Sequence, residues 1–140
     1  PRPPALMPDN RGVEVRSKEG AVIARSDGSI RVLETASPPT FYLAPEALLE
    51  PLTIIEGSSF CEWKGRATYF SYQNVRLAWR YDNPSDRFSR IDGWYSFYAS
   101  LVDCYVDGIK VAAQQGDFYG GWITPEVVGP FKGDPGTLGW

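Results

Sequence analysis

Proline and glycine interrupt this chain so often that short strands, rather than long helices, are what it is suited to build. Its 140 residues include twelve prolines and fourteen glycines, which break regular structure or turn it. Aromatic residues make up 14%, and rings suit the pleated, half-buried surface of a sheet. The chain is 43% hydrophobic and 22% charged, ordinary globular usage that gives one domain enough apolar surface for a core. The expectation is a single, mostly β domain of short antiparallel strands.

The composition also removes whole classes of chemistry. There is no histidine, so these residues contain no Ser-His-Asp or Cys-His pair, no HExxH zinc site and no histidine-based pH switch. The net charge is −3, with acids and bases interspersed and no basic stripe, so nucleic acid is not an expected partner. No apolar run approaches the ~18 residues of a membrane span, and none reads as a secretory signal. Cys61 and Cys104 are too few for a zinc cluster or a disulfide framework. A reduced, cytoplasmic protein is expected, with Pro1 hinting that residues precede it.

Along the chain, residues 1–12 read as a proline-rich extended arm. Residues 13–113 read as the β domain, about nine strands in all. Val13 to Val15 and Ala21 to Ala24 flank the turn Lys18-Glu19-Gly20, and Ile30 to Thr35 is a third strand. Ala44 to Leu49, with Pro45 in a first turn, is the best helical segment, one or two turns long. Leu52 to Ile55 returns to β character. Gln73-Asn74 and Asp107-Gly108 are hairpin turns by composition. Between them, Val75, Leu77, Trp79 and Tyr81 alternate onto one face, with Arg76 and Arg80 opposite. Residues 114–140, rich in glycine and aromatics, are too apolar for a free tail and are expected to pack on the body or on a partner.

Arg31-Val32-Leu33-Glu34-Thr35, then Pro38-Pro39 and Phe41-Tyr42, resembles the opening block of the domain of unknown function 427 family. Phe60-Cys61-Glu62-Trp63-Lys64-Gly65 is similar to that family's His-Cys-Pro-aromatic-Lys-Gly segment, with Phe60 in place of the histidine and Glu62 in place of the proline. Ala78-Trp79-Arg80-Tyr81 with Pro84 resembles the next block, and Ile91-Asp92-Gly93 through Tyr105-Val106-Asp107-Gly108 the last. The extension after Gln114 resembles that of cyanobacterial and plant members. The resemblance covers most of Val13 to Val111. It implies a β-tent, or Mss4-like, arrangement of two leaning antiparallel sheets around an apolar pocket, with one short helix. Relatives on that fold bind zinc through paired CxxC motifs; this chain has none, so no metal site is expected. A nucleotidyltransferase label attached to the family implies Mg²⁺ as cofactor only if that activity is present, and otherwise no cofactor is expected.

Two constellations carry chemistry. In Cys61-Glu62-Trp63-Lys64-Gly65, an ammonium beside a thiol lowers its pKa and makes it a nucleophile, so Cys61 and Lys64 are candidate catalytic residues. The plain alternative is a packed cysteine beside a lysine whose stem covers apolar surface. Most of the aromatic residues are expected to fill the core, but Trp63, Trp79 and Tyr81 border the family-like motifs and are candidates for a ligand pocket. Arg80 could meet an anionic group there, and Glu34 stands in an apolar strand as a further candidate. The leading function is binding of a small, anionic molecule in an aromatic-lined pocket. The alternatives are an enzyme, either nucleotidyltransferase-like or a cysteine-dependent hydrolase, and a protein-interaction module, including a homo-oligomer formed through the C-terminal extension.

Overall fold

A computed structural model describes residues 4–61, 64–115, 120–127, 129–132, 134 and 137. The described strands are β1 (Ala5–Asp9), β2 (Val13–Arg16), β3 (Val22–Ser26), β4 (Ser29–Leu33), β5 (Thr40–Tyr42), β6 (Thr53–Cys61), β7 (Gly65–Tyr72), β8 (Val75–Asp82), β9 (Tyr95–Phe97), β10 (Asp103–Val106), β11 (Ile109–Lys110), β12 (Ala112–Ala113) and β13 (Trp122–Ile123). Among the described residues the helical elements are two 3-10 turns, η1 (Pro45–Ala47) and η2 (Asp86–Ile91). Among the described residues no helix is long and apolar enough to cross a membrane.

The strands form sheets in the orders β1-β4-β5, β11-β10-β2-β3, β6-β7-β8-β9 and β12-β13, all antiparallel. Leu43, just past β5, exchanges both backbone hydrogen bonds with Tyr95 at 2.7 and 2.8 Å, joining the β5 sheet edge to β9. The main core lies where β2, β3 and β10 face β7, β8 and β9, around Val15, Ile23, Leu77, Phe97 and Cys104. A smaller cluster of Ile30, Val32, Tyr42, Trp79, Phe88 and Ile91 fills the angle between β4, β5 and β8. This is the small mostly β domain expected from the punctuation of the sequence.

Particular elements differ from the sequence reading. The N-terminal segment contributes a strand, β1, in register with β4 from Ala5↔Leu33 to Asp9↔Ser29. The segment read as a helix holds only the three residues of η1. Ala44 supplies no side-chain cap, Leu48 turns extended to bridge Ala24, and Leu49 N–H donates to the Ile23 carbonyl at 2.8 Å. Tertiary hydrogen bonds thus end the helix after one turn.

The alternation read along β8 is also corrected. The β7–β8 register jumps from Phe70↔Ala78 to Ser71↔Arg76, a bulge that leaves Leu77 unmatched. Leu77 and Ala78 both enter the main core, while Trp79 belongs to the smaller cluster with Tyr81 packed against it. Beyond the bulge Arg76 returns to that same side, its guanidinium 3.8 Å from the Tyr69 ring centre. One inserted residue reverses the facing of everything on its far side.

Candidate functional site

In the angle between β4–β5 and β7–β8 lies a cavity of about 240 Å³. Strand alternation builds it. Ala67 and Tyr69 of β7 line it, whereas Phe70 points into the main core. From β8, Trp79 and Tyr81 line it. Val32 and Glu34 come from β4 and the residues after it, and Tyr42 from β5. Gln114, Gly120 and Gly121 close another side.

Among the described lining residues Lys64 is the cation. It stands directly before β7, where Gly65 has φ +88° and a Cβ would stand 3.0 Å from the Asn83 carbonyl oxygen. Glycine alone meets both demands comfortably. The Lys64 ammonium donates to Glu34 Oε1 at 2.6 Å and stands 5.2 Å from the centre of the Tyr81 ring. The lysine side chain is 10% exposed and that of Glu34 37%. Burial alone would push the ammonium's pKa down, but the Glu34 carboxylate, with the oxygens of Tyr42 and Tyr81 beside it, holds it above the ordinary value. Lys64 is therefore charged at neutral pH.

The aromatic walls are polar at their tips. The Trp79 indole N–H donates to the Tyr42 phenol oxygen at 3.1 Å. Burial raises the Tyr42 and Tyr81 phenols above their usual range, so both stay protonated. Ser59 Oγ and the Tyr69 phenol oxygen are 2.6 Å apart. Trp79 and Tyr98 rings lie with centres 4.6 Å apart.

Of the residues singled out in the sequence, Glu34, Lys64, Trp79 and Tyr81 meet in this cavity. Arg80 does not. It points to the opposite face of β8, donating to Asp82 at 2.9 Å and to the Tyr95 phenol oxygen at 2.8 Å, over the Phe70 ring. Cys61 sits at the end of β6 opposite Gly65, half-buried and outside the lining, while the Lys64 ammonium turns to Glu34. Trp63 lies outside the described residues. Sequence reasoning passed over Tyr42, Ser59 and the trio Gln114, Gly120 and Gly121. The adjacent glycines were the available signal for the last, since a close backbone approach favours them.

The donors do not fit a divalent cation. Among the described residues lining the cavity Glu34 is the single carboxylate, already committed to Lys64, whose charge would repel a metal ion. Among the described residues no three Asp, Glu or Cys side chains come together in a ligand set.

Fold and cavity define a class: a small antiparallel β domain enclosing an aromatic cleft with one lysine–glutamate pair. The chain belongs to the family described as Domain of unknown function (DUF427), whose model matches residues 5–108 and whose label carries a nucleotidyltransferase term. Comparison with curated proteins found no match. The family match ends in the β10–β11 turn, so Gln114, Gly120 and Gly121 add to the cavity from beyond it.

Proposed function

We propose that this domain binds a small metabolite bearing an acidic group, with the Lys64 ammonium as its anchor and the Trp79, Tyr69 and Tyr81 rings as its walls. The observation that carries this reading is Lys64 itself: a buried ammonium on a cavity wall whose described hydrogen-bond partner is one carboxylate oxygen. An ammonium has three donors, so capacity remains for an incoming acid, and a charge-assisted bond in a desolvated cleft is among the stronger polar contacts. Sites for drug-sized ligands run to roughly 300–1,000 Å³. At about 240 Å³ the cleft suits something smaller than a dinucleotide. Cys61, outside the lining, has no part in this reading.

Calorimetric titration with benzoate and phenyl phosphate tests it, using the wild-type chain, Lys64→Met and Trp79→Phe. The expected result is saturable binding of at least one probe, weakened at least about tenfold by Lys64→Met. Binding unaffected by both substitutions would remove the cavity as the site. A nucleoside triphosphate titrated with Mg²⁺ in the same series tests the activity that the family label names.

A further inference from the structure

We propose that the ligand is a zwitterion: an α-amino acid, or an amine-bearing carboxylate of similar size, with its acid on Lys64 and its ammonium on Glu34. This inference rests on the reading just given and narrows it. The cavity wall presents a matched pair of charges. Lys64 and Glu34 are 2.6 Å apart and both line the cleft. The other described lining residues carry no formal charge at neutral pH, and the arginines of β8 do not line it.

That pairing decides which ligand charge is tolerated. A simple anion approaching Lys64 also approaches the Glu34 carboxylate, whose repulsion offsets part of the lysine's attraction. A simple amine has the converse difficulty with Lys64. A ligand carrying both charges about one carbon apart opposes each wall charge with its complement and leaves the site neutral. Glu34 has the capacity for this: Oε1 holds Lys64, Oε2 has no donor among the described residues, and the side chain is 37% exposed. The Trp79 and Tyr98 rings, which line the cleft, then give the ligand's apolar side chain aromatic surface to pack against.

The experiment compares three probes that share a phenyl group and differ in charge: L-phenylalanine, 3-phenylpropionate and 2-phenylethylamine, titrated by calorimetry against the full chain. Phenylalanine is expected to bind at least about tenfold more tightly than either singly charged probe. Glu34→Gln is expected to remove its advantage over 3-phenylpropionate while leaving the native near-ultraviolet circular dichroism. Lys64→Arg keeps the cation and is expected to retain the order of the three, guarding against loss of fold in Lys64→Met. Binding of 3-phenylpropionate as tight as that of phenylalanine overturns the zwitterion and leaves the anionic reading standing. A phenylalanine advantage that survives Glu34→Gln overturns the role of Glu34. Failure of all three probes while benzoate or phenyl phosphate binds overturns this inference alone; failure of every probe overturns both.

Discussion

Gly120 packs against the benzo edge of the Trp79 indole, so close that a Cβ at position 120 would stand 2.1 Å from Cη2. The contact ties a residue beyond the family-matched region to the ring that forms the cavity wall. Gly120→Ala must therefore push the indole aside, breaking its 3.1 Å bond to the Tyr42 phenol oxygen. The expected cost is about 1–3 kcal/mol, as for overpacking elsewhere, together with a change in near-ultraviolet circular dichroism. Gly28 is the control: nothing stands within 4 Å of its Cβ position. Gly28→Ala should move the urea midpoint little, within about 0.5 kcal/mol.

Trp122 anchors the segment that carries Gly120 and Gly121. It is fully buried, stacks on Phe41 with ring centres 4.8 Å apart, and donates its indole N–H to the Phe97 carbonyl at 2.8 Å. Trp122→Ala should cost about 3–5 kcal/mol by leaving a cavity. Trp122→Phe keeps a ring against Phe41 but leaves the Phe97 carbonyl without its donor, costing about 1–3 kcal/mol. Equilibrium urea unfolding of the two variants measures both, and a Trp122→Phe loss near zero would show that the hydrogen bond contributes nothing.

Turn chemistry was the most legible level of the fold. Gln73 and Asn74 have φ of +49° and +66°, and Asp107 and Gly108 +49° and +77°, the left-handed pairs that two-residue hairpins require. The β8 bulge was not legible, because alternation assumes an unbroken register and nothing in Val75-Arg76-Leu77-Ala78 marks where β7 pairing skips a residue. Of the site, Glu34, Lys64, Trp79 and Tyr81 could be picked out because unusual residues clustered in short motifs. The ion pair of Glu34 with Lys64 could not, since it joins positions thirty residues apart through sheet packing. Arg80 shows the same limit. Its charge suggested an anion partner, but Asp82, two residues on along β8, takes its guanidinium instead.

The two thiols should separate sharply in reactivity. Cys104 is buried in the main core, where loss of solvation, with Asp103 adjacent, pushes its pKa well above the ordinary thiol value. Thiolate is the reactive form, so Cys104 should resist alkylation until the chain unfolds. Cys61 is half-buried at the end of β6. Brief iodoacetamide treatment at neutral pH followed by peptide mapping should label Cys61 with roughly hundredfold preference, because Cys104 reacts only through opening of the core. Equal labelling under native conditions would contradict the placement of Cys104. Phenylalanine or benzoate should not protect Cys61, whose side chain is outside the cavity lining.

Acid stability should depend on Asp9, which fastens β1 to its neighbours. Its side chain is 6% exposed. It accepts from the Arg11 backbone N–H at 2.9 Å and from Arg11 Nη2 at 2.7 Å, and lies 3.2 Å from Arg31 Nε on β4. The Arg11 side-chain hydrogen bonds, aided by its backbone N–H and both guanidinium charges, outweigh burial and hold the Asp9 carboxyl below its ordinary value of 3.8. A carboxyl lowered on folding binds protons more readily in the unfolded chain, so its stabilising contribution is complete above the unfolded value. It is lost as pH falls from about 3.8 through the lower folded value. Asp9→Asn should therefore be destabilised at neutral pH, by about 1.5–3 kcal/mol for hydrogen bonds to a charged group, with the difference from wild type shrinking as pH drops below 3.8. Urea midpoints measured from pH 7 to pH 2.5 test this. A difference that stays constant across that window would mean that the Asp9 carboxylate does not supply the pH-dependent part of the stability, and that Asn serves the β1–β4 contact only through shape.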